Sequence, residues 1–271
     1  MARAGTALIT GASTGIGLEL TRLFAAGEHD LVLVARSKQK LDELATELSS
    51  KHGVRVLVVA EDLQDPAAPE RILERVTREG FTVDLLVNNA GFGAAAPFLE
   101  TAARRSLDMI ALNISALTHL THLFAAGMVE RGHGGVLNIA STAGFQPGPN
   151  MAVYYATKAY VVSFTEAIAV ELAPKGVHVT AFCPGPVETE FARIAGNDDS
   201  VLFKMGAARA DAVALDAYRS FMKRRVLVIS GGTNWLGVQL LRFAPRALVR
   251  KVAAWVNSKP APDASRGKLA P

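Results

Sequence analysis

The feature that most constrains this 271-residue chain is the octapeptide Thr10-Gly-Ala-Ser-Thr-Gly-Ile-Gly17 together with its flanks. A short apolar run, residues 7–9, precedes it, and an apolar pattern of helical period, residues 16–26, follows. Gly11 permits a tight turn, while Gly15 and Gly17 let backbone approach a pyrophosphate and let the helix pack on the strand. The start of the helix then presents free N–H groups and a favourable dipole to the phosphates. Three glycines alone are a weak signal; the strand before and the helix after are what make this a nucleotide turn.

The same unit recurs along the chain. Strand-length apolar runs at 31–35, 54–59, 85–88, 135–139 and 178–183 alternate with helical patterns at 38–50, 66–79, 104–130 and 154–173. The run at 31–35 is continuously apolar, as expected of a strand buried on both faces. The alternation predicts an α/β fold: a single-domain Rossmann-type doubly wound parallel sheet with helices on both faces. Its ligand edge lies along the C-terminal ends of the strands. Residues 186–224 carry no strand signal and read as a loop-and-helix insertion on the substrate side, before a last strand at 225–229. Val226 to Gly237 is a second strand–glycine turn–helix pattern, but the 34 residues after it are too few for another nucleotide unit. One domain over 1–258 is therefore expected, with an amphipathic helical segment at 234–257. The Pro-, Ser- and Gly-bearing tail, 259–271, reads as disordered.

With 50% hydrophobic and 20% charged residues, a chain of this length buries a sizeable core without disulfides or metals. Cys183 is the only cysteine, which excludes an intramolecular disulfide and a cysteine zinc cluster. No apolar signal core precedes the first strand, so the expectation is a cytoplasmic protein. The uncharged run 109–129 has membrane-span length, but Asn113, Ser115, Thr118, His119, Thr121 and His122 would be costly in lipid, so it reads as a buried helix. Charge is unevenly placed: residues 1–200 hold 16 Lys/Arg and 22 Asp/Glu, whereas 201–271 hold 13 and 3. The basic part lacks interleaved stacking aromatics, so nothing suggests nucleic acid and no such partner is expected. Treated as a helix, 234–257 sets Leu241, Leu248, Val252 and Trp255 on one face, with Arg242, Arg246 and Arg250 opposite and Pro245 interrupting. The first expectation is that the apolar face packs on the body. The alternative is weak, salt-sensitive contact with the anionic inner face of a membrane.

Where an acid would bind a ribose 2′-hydroxyl after the second strand, the chain has Ala35-Arg36-Ser37-Lys38. Asp30 lies at the wrong end of that strand. A guanidinium matches a 2′-phosphate in charge and geometry, so Arg36 predicts NADP(H) over NAD(H). Tyr154 and Lys158 stand at i and i+4 on one helix face, where a cation would favour the phenolate and lower the tyrosine's pKa. Ser141 follows the run 135–139, at the expected ligand edge. His119 and His122 lack acidic or cysteine partners, so no metal is expected. Cys183 reads as a small buried residue, Tyr155 as a packing or substrate-facing one, and Asp198 with Asp199 as a loop tip.

On these residues the chain resembles the short-chain dehydrogenase/reductase family, over residues 6 to 190. The match comprises Thr10 to Gly17, Asp62, Asn88-Asn-Ala-Gly91, Pro184-Gly-Pro-Val-Glu-Thr189, and the tetrad Asn113, Ser141, Tyr154 and Lys158, which shows no departure. The resemblance implies that Gly11, Ser13, Thr14, Gly15, Ile16 and Gly17 cradle the cofactor's phosphates. Asp62, with Leu63, would meet the adenine amino group; Asn89, with Ala90 and Gly91, the adenosine ribose. Pro184, Gly185, Val187 and Thr189 would receive the nicotinamide, and Lys158 its ribose hydroxyls. Ser141 would hold the substrate carbonyl oxygen, Asn113 would support a water-linked relay to Lys158, and Tyr154 would give or take the proton. Within the family the pattern resembles hydroxysteroid and long-chain 3-oxoacyl reductases. The implied function is hydride transfer between NADP(H) and the carbonyl or secondary alcohol of a small apolar substrate. Phe92, Phe145, Pro147, Met151, Phe191, Phe203 and Met205 fall in loops at the ligand edge, whereas Arg193 and Lys204 can equally face solvent. A homodimer or homotetramer through the helices at 107–129 and 154–172 is also implied. Two other functions fit the same scaffold: a non-catalytic nucleotide-binding regulator, and an epimerase or dehydratase.

Overall fold

The computed structural model describes residues 4–196, 200–204 and 206–258; Asp198, Asp199, Met205 and the tail 259–271 lie outside the described residues. The chain runs β1 (Thr6–Thr10), α1 (Gly15–Ala26), β2 (Asp30–Ala35), α2 (Lys38–His52), β3 (Val56–Ala60), α3 (Ala68–Arg78) and β4 (Val83–Asn88). It continues through α4 (Ala103–Ile110), α5 (Leu117–Arg131), β5 (Gly134–Ile139), α6 (Ala152–Leu172) and β6 (Val177–Cys183). Then come β7 (Val187–Glu188), α7 (Glu190–Ala195), α8 (Val201–Lys204), β8 (Ala208–Arg209), α9 (Ala210–Met222), β9 (Leu227–Ile229), α10 (Gly232–Leu241) and α11 (Arg246–Val256).

Seven strands form one sheet in the order β3-β2-β1-β4-β5-β6-β9, every pair parallel. Chain order reverses between β1 and β4, which opens a crevice beyond their C-terminal ends. Alternation along β1 assigns the two cores. Ala7 and Ile9 join Leu20 and Phe24 of α1, Leu41 of α2 and Phe221 of α9; Leu8 points the other way, among Ile72 of α3 and Phe124 of α5. Full burial of a side chain such as Leu8 or Phe24 contributes about 1.5–3 kcal/mol, so both layers grip the central strands.

The helix expected over 104–130 is present as α4 and α5, joined by a wider i→i+5 turn over Ala111–Ala116 that contains Asn113. Ala103–Arg131 is long and apolar enough to cross a membrane. In this fold, though, Leu117, Leu120, Phe124 and Met128 are buried in the core, and Thr121 accepts from the Asn88 amide at 2.9 Å.

Two differences from the sequence reading are local. Residues 186–224 include a two-residue parallel bridge, Val187 to Ala208, too short to leave a periodic signal. Within 234–257, where Pro245 is expected to kink the helix or begin a new one, it begins α11, whose buried side is Val249 and Ala253. Leu248, Val252 and Trp255 face away from the body, against the expectation that they pack on it. Proline cannot continue α10, so α11 takes a phase set by its own docking.

Candidate active site

The turn from β1 to α1 is a backbone cradle. Gly11 and Gly15 have φ of +65° and +56°, a region that side chains rarely enter. At Gly17 a Cβ would stand 2.2 Å from the Gly11 carbonyl oxygen, so only glycine fits. Thr10 Oγ1 donates to Val87 O and accepts from the amides of Asn89 and Ala90, both at 3.0 Å. Asn89 Nδ2 donates back to Thr10 O and Gly11 O at 3.0 and 3.3 Å. The turn is therefore stitched to the end of β4. The Asn89 amide group is committed to this stitching, leaving its Oδ1 for any ribose contact.

Beyond the turn lies a cleft of about 1190 Å³, including its mouth. Gly11, Thr14, Gly15, Ile16, Asn89, Ala90 and Gly91 form its nucleotide end. Ser141, Tyr154, Lys158, Pro184, Gly185, Val187 and Thr189 converge at its middle, and Gln146, Met151, Tyr155, Phe191, Leu202 and Phe203 wall the far end. Ser13, Gly17, Asn113, Arg36, Asp62 and Leu63 are not on this wall, nor are Phe92, Phe145 and Pro147. Arg36 and Asp62 are exposed just past β2 and β3; Asp62 accepts the Gln64 amide at 3.0 Å, and Leu63 is buried. Arg193 is exposed beside Glu190, 4.0 Å away.

Ser141 leaves β5 and opens a short turn: its Oγ accepts from Ala143 N at 3.1 Å and donates to Pro184 O at 3.4 Å, on the same cleft wall as Tyr154. Lys158 is buried one helical turn beyond Tyr154, and its Nζ donates to Ile139 O at 2.7 Å. Nζ lies 5.9 Å from the centre of the Tyr154 ring. Burial lowers this ammonium to about 8 and pushes the Cys183 thiol up to about 12, so the thiol stays neutral. Burial also raises Tyr154 above its ordinary range, with the nearby Ser141 hydroxyl pulling the other way. The expectation of a lowered tyrosine pKa is thus reversed, because desolvation outweighs a cation directed at a carbonyl. Tyr154 holds its proton at neutral pH.

Asn113 clamps the loop after β4: its Oδ1 accepts from Phe92 N at 3.1 Å, and its Nδ2 donates to Phe92 O and Thr157 Oγ1. Three further residues shape the site and were not singled out for it from sequence. Gln146 is a polar group on the apolar wall. Arg105 Nη2 donates to Gly93 O and Ile194 O, fastening the far wall. Asn257 accepts from the Tyr155 hydroxyl at 2.9 Å and donates to Pro149 O. These contacts join residues 89 or more apart for Arg105–Ile194, Tyr155–Asn257 and Asn257–Pro149, and no local pattern announces them.

A parallel sheet with a glycine cradle at its switch point, and Ser, Tyr and Lys gathered at the strand ends, defines a Rossmann-type oxidoreductase. The short chain dehydrogenase family profile matches residues 5–199, and the chain belongs to that family. It is 36% identical over 193 residues to the very-long-chain 3-oxoacyl-CoA reductase of Phaeosphaeria nodorum, covering 69% of this chain and 56% of that one. It is 37% identical over 194 residues to sulfoacetaldehyde reductase 2 of Chromohalobacter salexigens, covering 71% and 76%. The chain thus matches little more than half the length of the first of these relatives. The structure of a short-chain dehydrogenase from Sphingobium yanoikuyae in complex with NADPH superimposes with a TM-score of 0.79 at 35% identity, covering 88% of this chain and 94% of that one.

Proposed function

We propose that this chain reduces the carbonyl of an apolar substrate with NADPH, or oxidises the corresponding alcohol with NADP⁺, using Tyr154 as acid and base. The observation that carries the reading is the convergence of Ser141, Tyr154 and buried Lys158 on the wall of a cleft whose other end is a glycine turn. The residues present fit the cofactor: Gly11, Gly15 and Gly91 leave the nucleotide end of the cleft lined by backbone, and the tight packing at Gly17 holds the start of α1 against the turn. Arg36 is exposed and makes no ion pair among the described residues, whereas neighbouring Lys38 is held by Asp42 at 2.6 Å. This supports Arg36 as the group that prefers a 2′-phosphate.

When bound, the nicotinamide supplies a hydride to the substrate carbon or accepts one from it. Ser141 Oγ orients the carbonyl oxygen, and Tyr154 gives that oxygen its proton. The phenolate left behind is stabilised by Lys158, whose charge acts across a buried, low-dielectric gap. Asn113 keeps the Phe92 loop against α6 so that this geometry persists.

The far wall supports an apolar substrate: Met151, Phe191, Leu202 and Phe203 line it, and Lys158 is the only basic side chain on the cleft's described wall. Each methylene buried there contributes about 0.8 kcal/mol, roughly fourfold in affinity. Loss of NADPH absorbance with ketones of increasing chain length tests this, with sulfoacetaldehyde as a small anionic control. Tighter binding of the short anionic compounds would refute the apolar reading; no NADPH loss with any carbonyl would refute the reductase.

A further inference from the structure

Sixteen large apolar side chains are exposed among the described residues, and seven of them lie in the 25 residues from α10 through α11. We propose that this segment is a docking face for an anionic lipid surface. On α11, Leu248, Val252 and Trp255 recur at i, i+4 and i+7 and are 53%, 50% and 59% exposed. An adjoining side of the same helix, Val249 and Ala253, is 8% and 1% exposed, so the helix docks on the body through small contacts and turns its larger apolar stripe outward. Trp235, Leu236 and Leu240 are likewise exposed on α10, and Phe243 in the link is 85% exposed.

The charges say what covers this face. Arg242, Arg246, Arg250 and Lys251 are exposed within it and make no ion pair among the described residues. No Asp or Glu occurs anywhere from residue 217 to residue 262. A second copy docked through the same patch about a two-fold axis would set these cations against their equals. A lipid surface satisfies both features, taking the apolar stripe into the headgroup boundary while phosphates meet the cations. Both tryptophans of the protein, Trp235 and Trp255, belong to this segment, and the indole suits such a boundary, apolar in its body and polar at its N–H. The segment also borders the substrate end of the cleft, through Asn257 to Tyr155 and through Ser258 O to the amide of Val201 in α8. The docking face does not depend on the reductase reading and is measured without substrate.

The test uses the full chain with vesicles of phosphatidylcholine and phosphatidylglycerol, three to one, against phosphatidylcholine alone. Flotation with the anionic vesicles at low salt, a blue shift of tryptophan emission and release by high salt are expected. Leu240→Ser with Phe243→Ser and Leu248→Ser changes exposed positions only, and should abolish flotation while thermal unfolding stays unchanged. Arg242→Gln with Arg246→Gln should weaken partitioning roughly 10- to 30-fold, and keeps the test decisive if the serine variant misfolds. No flotation of the native chain, equal partitioning to both lipids, or flotation unchanged in both variants would overturn the proposal. So would a concentration-dependent doubling of mass that the serine variant loses, without vesicle binding, which would assign the face to a second copy.

Discussion

Lys158→Met keeps the length of a buried side chain and removes its charge. Burial lowers this ammonium from 10.5 to about 8. Below about pH 8 folded and unfolded chains both carry the proton, and the folded state bears the whole desolvation penalty, about 3 kcal/mol at 1.36 kcal/mol per pH unit. Between about 8 and 10.5 the folded state releases its proton first and the penalty shrinks; above 10.5 both states are neutral and it vanishes. The lysine's contribution to stability therefore rises with pH through that window. Methionine abolishes the penalty but strands Ile139 O, the 2.7 Å partner of Nζ, at a pH-independent cost of about 1–3 kcal/mol. The variant should thus be about 0–2 kcal/mol more stable than the native protein at pH 7, and less stable at pH 10. Urea unfolding of both proteins at the two pH values measures this. The advantage of the variant should fall by about 2 kcal/mol from pH 7 to pH 10, with activity lost throughout. An advantage that stays constant or grows with pH would show that burial does not depress the lysine.

Tyr154→Phe keeps the ring beside Phe191 but removes the transferable proton; NADPH turnover should drop about 10²–10⁴-fold while fluorescence titration shows cofactor binding retained. Arg36→Ala should narrow the preference for NADPH over NADH by about 10- to 150-fold in kcat/KM, and equal use of both by the native enzyme would remove the basis for the assignment. Gly17→Ala forces a Cβ to within 2.2 Å of the Gly11 carbonyl and should cost about 1–3 kcal/mol or more in thermal unfolding, together with cofactor affinity. The same change at Gly237, inside α10 with nothing within 4 Å of its Cβ, should instead stabilise by up to about 1 kcal/mol. Leu107, Ile110, Tyr160 and Val170 are exposed on α4 and α6, which motivates a two-fold dimer through these helices; a monomeric mass at micromolar concentration in light scattering would count against it.

The doubly wound sheet was legible because its signals are local. Buried parallel strands are continuous apolar runs, and helices show their period, so the order of elements can be read without knowing any long-range contact. The cradle was legible for the same reason: Gly11, Gly15 and Gly17 answer to the geometry of a single turn. Tyr154 and Lys158 were legible as a pair because one helix spaces them. What that pair experiences was not. The rise of Tyr154 and the fall of Lys158 come from burial by β5, β6 and the loops around the cleft, and desolvation belongs to the assembled protein rather than to any stretch of chain. The commitment of Asn89 to the glycine turn and of Asn113 to the Phe92 loop likewise depends on which backbone groups folding brings within 3.3 Å. The C-terminal segment divides the same way. Its apolar and basic residues could be read as an amphipathic pattern, but which apolar residues meet the body was decided by Pro245, which ends one helix phase, and by the contacts that let Val249 and Ala253 dock and leave Trp255 outside.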